Sequence, residues 1–140
     1  MVGRLICFDV GERRIGIAVS DMLGITAQPV ETYHRTGNLE KDYEYLVSII
    51  KEQEAVKLVV GLPKNMNNTE GPRVEVSKSY GDKIADLFGI PVDYQDERLT
   101  TVQAERMLVE QADVSRGKRK KVIDKLAAQL ILQNYLDRMF

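Results

Sequence analysis

With one cysteine, Cys7, and one histidine, His34, in 140 residues, the chain has no disulfide framework and no zinc constellation of the usual nitrogen and sulfur ligands. No apolar run approaches the roughly 20 residues that a membrane helix needs. The opening stretch, MVGRLICFDV, lacks the long apolar core and small-residue cleavage site of a signal peptide. It is expected to be a strand, and the protein is expected to work in a reducing cytoplasm, away from membranes. Charge of one sign is missing too: 20 Lys and Arg face 21 Asp and Glu, a net charge of −1. A polyanionic partner must therefore be met by a local patch rather than by a global field. Six tyrosines are scattered and give no base-stacking platform. Neither the Ser and Thr residues nor His34 form a nucleophilic triad, and no repeat, linker or low-complexity segment interrupts the chain.

What is present fits one α/β domain spanning residues 1–140. Hydrophobic residues make up 44% and charged residues 29% of the chain, the balance of an ordinary globular protein. Residues 4–8 and 15–19 are apolar and β-branched with Gly11 in a short link, the pattern of a hairpin. A third strand is expected over about 25–33, with Pro29 marking an edge or a break. Leu39, Tyr43, Leu46, Val47 and Ile50 recur at helical spacing and predict a helix over about 38–53. VKLVV at 56–60 is a buried strand, 61–73 a loop, and about 72–88 a second helix closed by Gly89. Strand 91–95 follows, then a third helix after a Thr100–Gln103 capping box, then a final helix over 122–139. The order βββαβαβαα predicts a mixed five-stranded sheet flanked by helices.

Three acids stand out. Asp9 ends a largely apolar strand, where a carboxylate is costly unless it is paired or metal-bound, although a turn aspartate beside Gly11 can also cap backbone amides. Glu97 lies in the crowded link Asp96–Glu97–Arg98, just before a helix whose macrodipole would also favour it. Asp124 has Ala127, Ala128 and Ile131 at i+3, i+4 and i+7, so it interrupts the face expected to pack on the sheet. Three converging carboxylates repel one another unless a divalent cation neutralises them. Oxygen-only ligands suit Mg²⁺ or Mn²⁺, and such ions can activate water for phosphodiester hydrolysis.

The densest charge cluster, RGKRKK, places Arg116, Lys118, Arg119, Lys120 and Lys121 ahead of the helix that carries Asp124. Cations there oppose the helix dipole, which points to a phosphate backbone as their partner. Arg13 and Arg14 offer further phosphate contacts.

Four segments resemble one family in the correct order. FDVGERRIGIAVSD, VVGLPKNMNNTEGPR, DERLTTVQAERML and KKVIDKLAAQLILQNYLD are similar to the blocks of the YqgF (RuvX) family of Holliday-junction-resolvase-like nucleases, and together span nearly the whole chain. The resemblance implies an RNase H-like fold with catalytic, metal-binding carboxylates at Asp9, Glu97 and Asp124. It also implies a nucleic-acid partner, either precursor 16S ribosomal RNA cut during 5′-end maturation or branched DNA, and a monomer or a homodimer. One departure bears on the metal count. Ala127 and Ala128 stand where RuvC-type resolvases carry a paired acid, so one ion is better supported than two, and only Asp96 or Asp21 could be guessed as substitutes. The first segment also resembles the phosphate-binding hairpin of actin-like ATPases and sugar kinases. A non-catalytic nucleic-acid-binding module is the remaining alternative.

Overall fold

A hairpin of alternating residues starts the fold. Strands β1 (Arg4–Val10) and β2 (Arg14–Ser20) pair antiparallel, with Asp9 opposite Gly16 and Val10 opposite Ile15. Each continues a residue or two beyond its apolar run, because Gly11 turns the chain only after Val10, its amide bonding Arg14 O at 2.9 Å. Edge strand β3 (Ala27–His34) pairs with β2 and slips by one residue: Ile17 pairs with Glu31 and Ala18 with Pro29. The extra residue, Val30, lies beside Pro29, which has no amide to donate; a proline is tolerated at an edge or a bulge, and both apply here.

This computed structural model describes residues 3–62, 72–96 and 116–139, with side chains from 73 in the second stretch and from 124 in the third. Helix α1 (Leu39–Glu52) is capped by Asn38, whose side chain accepts the Lys41 amide at 3.2 Å. Glu40 and Asp42 in its first turn and Lys51 in its last suit the macrodipole. Strand β4 (Ala55–Leu62) lies parallel to β1, and β5 (Val92–Asp96) parallel to β4. Helix α2 (Pro72–Phe88) joins them and ends at Gly89, whose positive φ of 86° few other residues tolerate. The sheet order β3-β2-β1-β4-β5 is the expected mixed, five-stranded one. It brings the ends of β1, β4 and β5 to the edge where the hairpin tip also lies.

Helix α3 (Arg116–Met139) is longer than expected. The basic run 116–121 is helical rather than a link before residue 122, since Lys and Arg are good helix formers. Asp124 therefore falls in the third turn, not in the first turns. The helix expected after Thr100 and the capping box Thr100–Gln103 lie outside the described residues.

The two sheet faces differ in kind. Ile6, Phe8, Val10, Ile15, Ile17, Leu58 and Val60 form a large apolar layer with Leu46 and Ile50 of α1 and Tyr80 and Ile84 of α2. The other face carries Leu5, Cys7, Ala18, Ala27 and Val59 under Ala128, Ile131, Leu132 and Tyr135 of α3. Its smaller side chains let one helix approach closely. Each fully buried Leu or Ile there contributes about 1.5–3 kcal/mol. No described helix is long and apolar enough to cross a membrane.

Candidate functional site at the hairpin tip

Strand alternation puts Asp9 on the face of Leu5 and Cys7, the face that α3 covers. Its partner across the ladder is Gly16, and that glycine decides how α3 is seated. A Cβ on Gly16 would lie 1.9 Å from the Asp124 carbonyl oxygen and 2.5 Å from its carbon. Only a hydrogen fits, so the helix backbone at Asp124 rests directly on β2, one strand away from Asp9. As expected, Asp124 breaks a buried face: Ala127, Ala128 and Ile131 are at most 2% exposed. Further along, Gln129 and Gln133 bond the backbone of Ala27 and Ile25, and the Tyr135 hydroxyl donates to Asp93 Oδ2 at 2.9 Å. These contacts fix the helix along its length. Burial alone would raise the Asp93 carboxyl pKa, but bonds from Tyr135 and the Tyr94 amide, with Lys57 nearby, more than offset it and hold it below the usual value.

Among the described residues Asp124 meets one cation. Arg14 Nε donates to Asp124 Oδ2 at 2.5 Å, with the two side chains 32% and 22% exposed. Around this pair lies a cleft of about 370 Å³ lined by Gly11, Glu12, Arg13, Arg14, Arg73 and Asp124. Arg73, in the first turn of α2, donates to Val10 O at 3.1 Å and pairs with Glu12 at 3.2 Å. It ties α2 to the hairpin tip. On the other side Arg35 donates to Gly11 O at 2.8 Å, and its amide bonds Arg13 O at the same distance. Arg13 itself is exposed and also lines a neighbouring cleft of about 670 Å³ with His34, Arg35 and Thr36.

The structure thus gathers Asp9, Asp124, Arg13 and Arg14 at one corner. Glu97 and the side chains of Arg116, Lys118, Arg119, Lys120 and Lys121 lie outside the described residues. Asp96 closes β5 opposite Leu62, at the same sheet edge. Asp21 is not a substitute acid: it follows β2 at its far end, about 20 Å from Arg14 by strand rise. There its carboxylate accepts the Ile25 amide at 2.8 Å, and that bond, the largest influence, holds its pKa below the ordinary range. Sequence reasoning missed Arg73, Arg35 and Gly16. Only Gly16 left a signal, a glycine inside a strand pattern, which marks close backbone approach.

Among the described residues no group of three or more His, Cys, Asp or Glu side chains could hold a metal ion. Two observations nevertheless suit a hard cation. The donors are carboxylate oxygens, and a guanidinium already occupies a cation's place against Asp124.

The family model for RuvX, described as a Holliday junction resolvase, matches residues 3–138. A Streptococcus thermophilus (strain CNRZ 1066) protein named "Putative pre-16S rRNA nuclease" is 68% identical over 138 residues, covering 98% of this chain and 99% of its own. A relative of the same name from Streptococcus mutans serotype c is 67% identical over 138 residues, with the same coverage. Among solved structures, T. thermophilus RuvC in complex with a Holliday junction substrate superposes with a TM-score of 0.59 at 12% identity, covering 98% of this chain and 96% of that one. That likeness shows the fold, the RNase H-like arrangement expected from the sequence.

Proposed function

The chain belongs to the RuvX family, and from that premise we propose that it is a metal-dependent nuclease acting on precursor 16S ribosomal RNA in the cytoplasm, as a single domain. The observation that carries this reading is the seating of Asp124 on Gly16, one strand from Asp9, in a cleft whose other charged walls are three arginines and Glu12, which Arg73 pairs. Ribosomal RNA is preferred to branched DNA because the relatives sharing about two thirds of the sequence bear the RNA name, whereas likeness to the junction-bound structure is one of fold.

In this reading Asp9 and Asp124 are two carboxylate ligands. Glu97, the residue after β5 in the sequence, is the third. A bound Mg²⁺ or Mn²⁺ supplies a polarised water and neutralises charge on the phosphate. The chain supplies position: Gly16 and the Gln129, Gln133 and Tyr135 contacts keep Asp124 at a fixed height above the sheet. Arg13 holds a phosphate oxygen at the mouth of the cleft, and Arg116, Lys118, Arg119, Lys120 and Lys121 extend the path for the backbone. Arg73 keeps the hairpin tip against α2, so the cleft holds its width when substrate enters.

The test is a side-by-side assay on precursor 16S RNA and four-way DNA junctions with Mg²⁺ or Mn²⁺, wild type against Asp9→Asn. RNA cleavage lost in Asp9→Asn is expected. Cleavage that survives the substitution contradicts the site, and cleavage of junctions alone reassigns the substrate.

A further inference from the structure

Arg14 is the one residue in the cleft whose present contact conflicts with the proposed chemistry. Its Nε is 2.5 Å from Asp124 Oδ2, a short charge-assisted bond that takes the carboxylate oxygen a metal ion would use. A guanidinium and a divalent ion cannot share that carboxylate without strong like-charge repulsion. The backbone of Arg14 is fixed, since its carbonyl accepts the Gly11 amide at 2.9 Å. Its side chain is 32% exposed and makes no other ion pair among the described residues. The head group can therefore pivot about a fixed base.

We propose that Arg14 is an exchangeable counter-ion of Asp124: it yields the carboxylate to the metal ion and turns into the cleft beside Arg13 and Arg73 to hold a substrate phosphate. This rests on the reading of Asp124 as a metal ligand. The chemistry of the residue suits both positions, because a guanidinium fork pairs with carboxylate and phosphate alike. The cleft it turns into already has a neutralised acid, Glu12 being held by Arg73, so a phosphate there meets net positive charge. The consequence is coupling. With Arg14 on Asp124 the ligand is masked and a phosphate donor is missing; metal binding supplies both at once, and bound phosphate in turn favours the metal. Arg14 is thus a competitor of the metal in the free protein and a substrate contact only after exchange.

The experiment is a calorimetric titration of the full chain with Mn²⁺ alone, without RNA. Wild type is compared with Arg14→Gln, Arg14→Met (which keeps the aliphatic stem), Arg14→Lys and Asp124→Asn. Removing one competing charge at this range is expected to tighten Mn²⁺ binding about tenfold in both neutral variants. Arg14→Lys stays near wild type, and Asp124→Asn loses the site. In cleavage assays the neutral variants show a raised KM for RNA. Tighter Mn²⁺ binding follows from the lost charge even if Arg14 never moves, so the raised KM for RNA is what marks the exchange, and an unchanged KM in both neutral variants overturns it. Unchanged or weaker Mn²⁺ binding in both neutral variants, with Asp124→Asn still losing the site, overturns the exchange alone. Undiminished Mn²⁺ binding in Asp124→Asn overturns the exchange and the metal-ligand reading together.

Discussion

On α1, Asp42 is 1% exposed, and its Oδ1 accepts from the Tyr33 hydroxyl at 2.7 Å and from the amide and hydroxyl of Thr36 at 3.0 Å each. Its Oδ2 faces Arg35 Nε at 3.9 Å and takes no hydrogen bond from the described residues. On α3, Asp124 is partly exposed, lines a cleft and meets its arginine through one contact. Both are aspartates with an arginine partner, yet they are built for different ends. Asp42 is held by three donors that belong to the frame, so nothing can replace them without dismantling the β3–α1 corner. Among the described residues Asp124 is held by one arginine, whose side chain is about a third exposed and which, on the proposal above, a metal ion displaces. A carboxylate surrounded by fixed donors is a structural part, and one balanced by a removable charge is ready to bind.

The sharpest way to break the contrast is Gly16→Val. Its side chain would overlap the Asp124 carbonyl, forcing α3 off β2 at a cost of at least about 3 kcal/mol. Chemical denaturation should register the loss, with nuclease activity abolished in whatever remains folded. Next comes Asp42→Asn, which removes the charge from a buried network and should cost about 1–3 kcal/mol, seen as a Tm lower by several degrees. Cleavage per folded molecule should stay at the wild-type level, because Asp42 is outside the cleft that holds Asp124.

The smallest effect is a pH dependence carried by Asp42. Burial would raise its pKa, but the bonds from Thr36 and Tyr33 and the charge of Arg35 more than offset this and hold it below the ordinary 3.8. A group whose folded pKa is depressed contributes stability above its unfolded value and loses it as pH falls through the folded one. Wild type should therefore lose stability below about pH 4, and Asp42→Asn should lose less over the same range. Equal acid sensitivity would place the titrating group elsewhere, Asp93 being the next candidate because the Tyr135 hydroxyl and Tyr94 amide also depress it.

Local signals explain how much of this was legible. The strands and helices were readable because burial follows period in this chain: Leu46, Ile49 and Ile50 repeat on α1, and Ile15, Ile17 and Val19 alternate on β2. Asp124 was readable as a polar break in an apolar stripe. Asp42 was not, because its partners come from β3 and the turn after it, and only the tertiary contact makes it buried. Arg73 was hidden for the same reason: its bonds to Val10 and Glu12 join segments about sixty residues apart. The start of α3 is ambiguous in the sequence, since the basic run argues against a helix N-terminus by charge while favouring helix by propensity. In the sequence Arg14 offers only a phosphate contact, and its pairing with Asp124 across 110 residues comes from the fold.

The most direct test of the central claim measures cleavage of precursor 16S RNA and thermal unfolding together for Asp124→Asn. The account predicts at least about a hundredfold loss of cleavage, the order expected when a metal ligand that stabilises transition-state charge is removed, with Tm close to wild type because only a partly exposed ion pair is lost. Cleavage retained at the wild-type rate would contradict it.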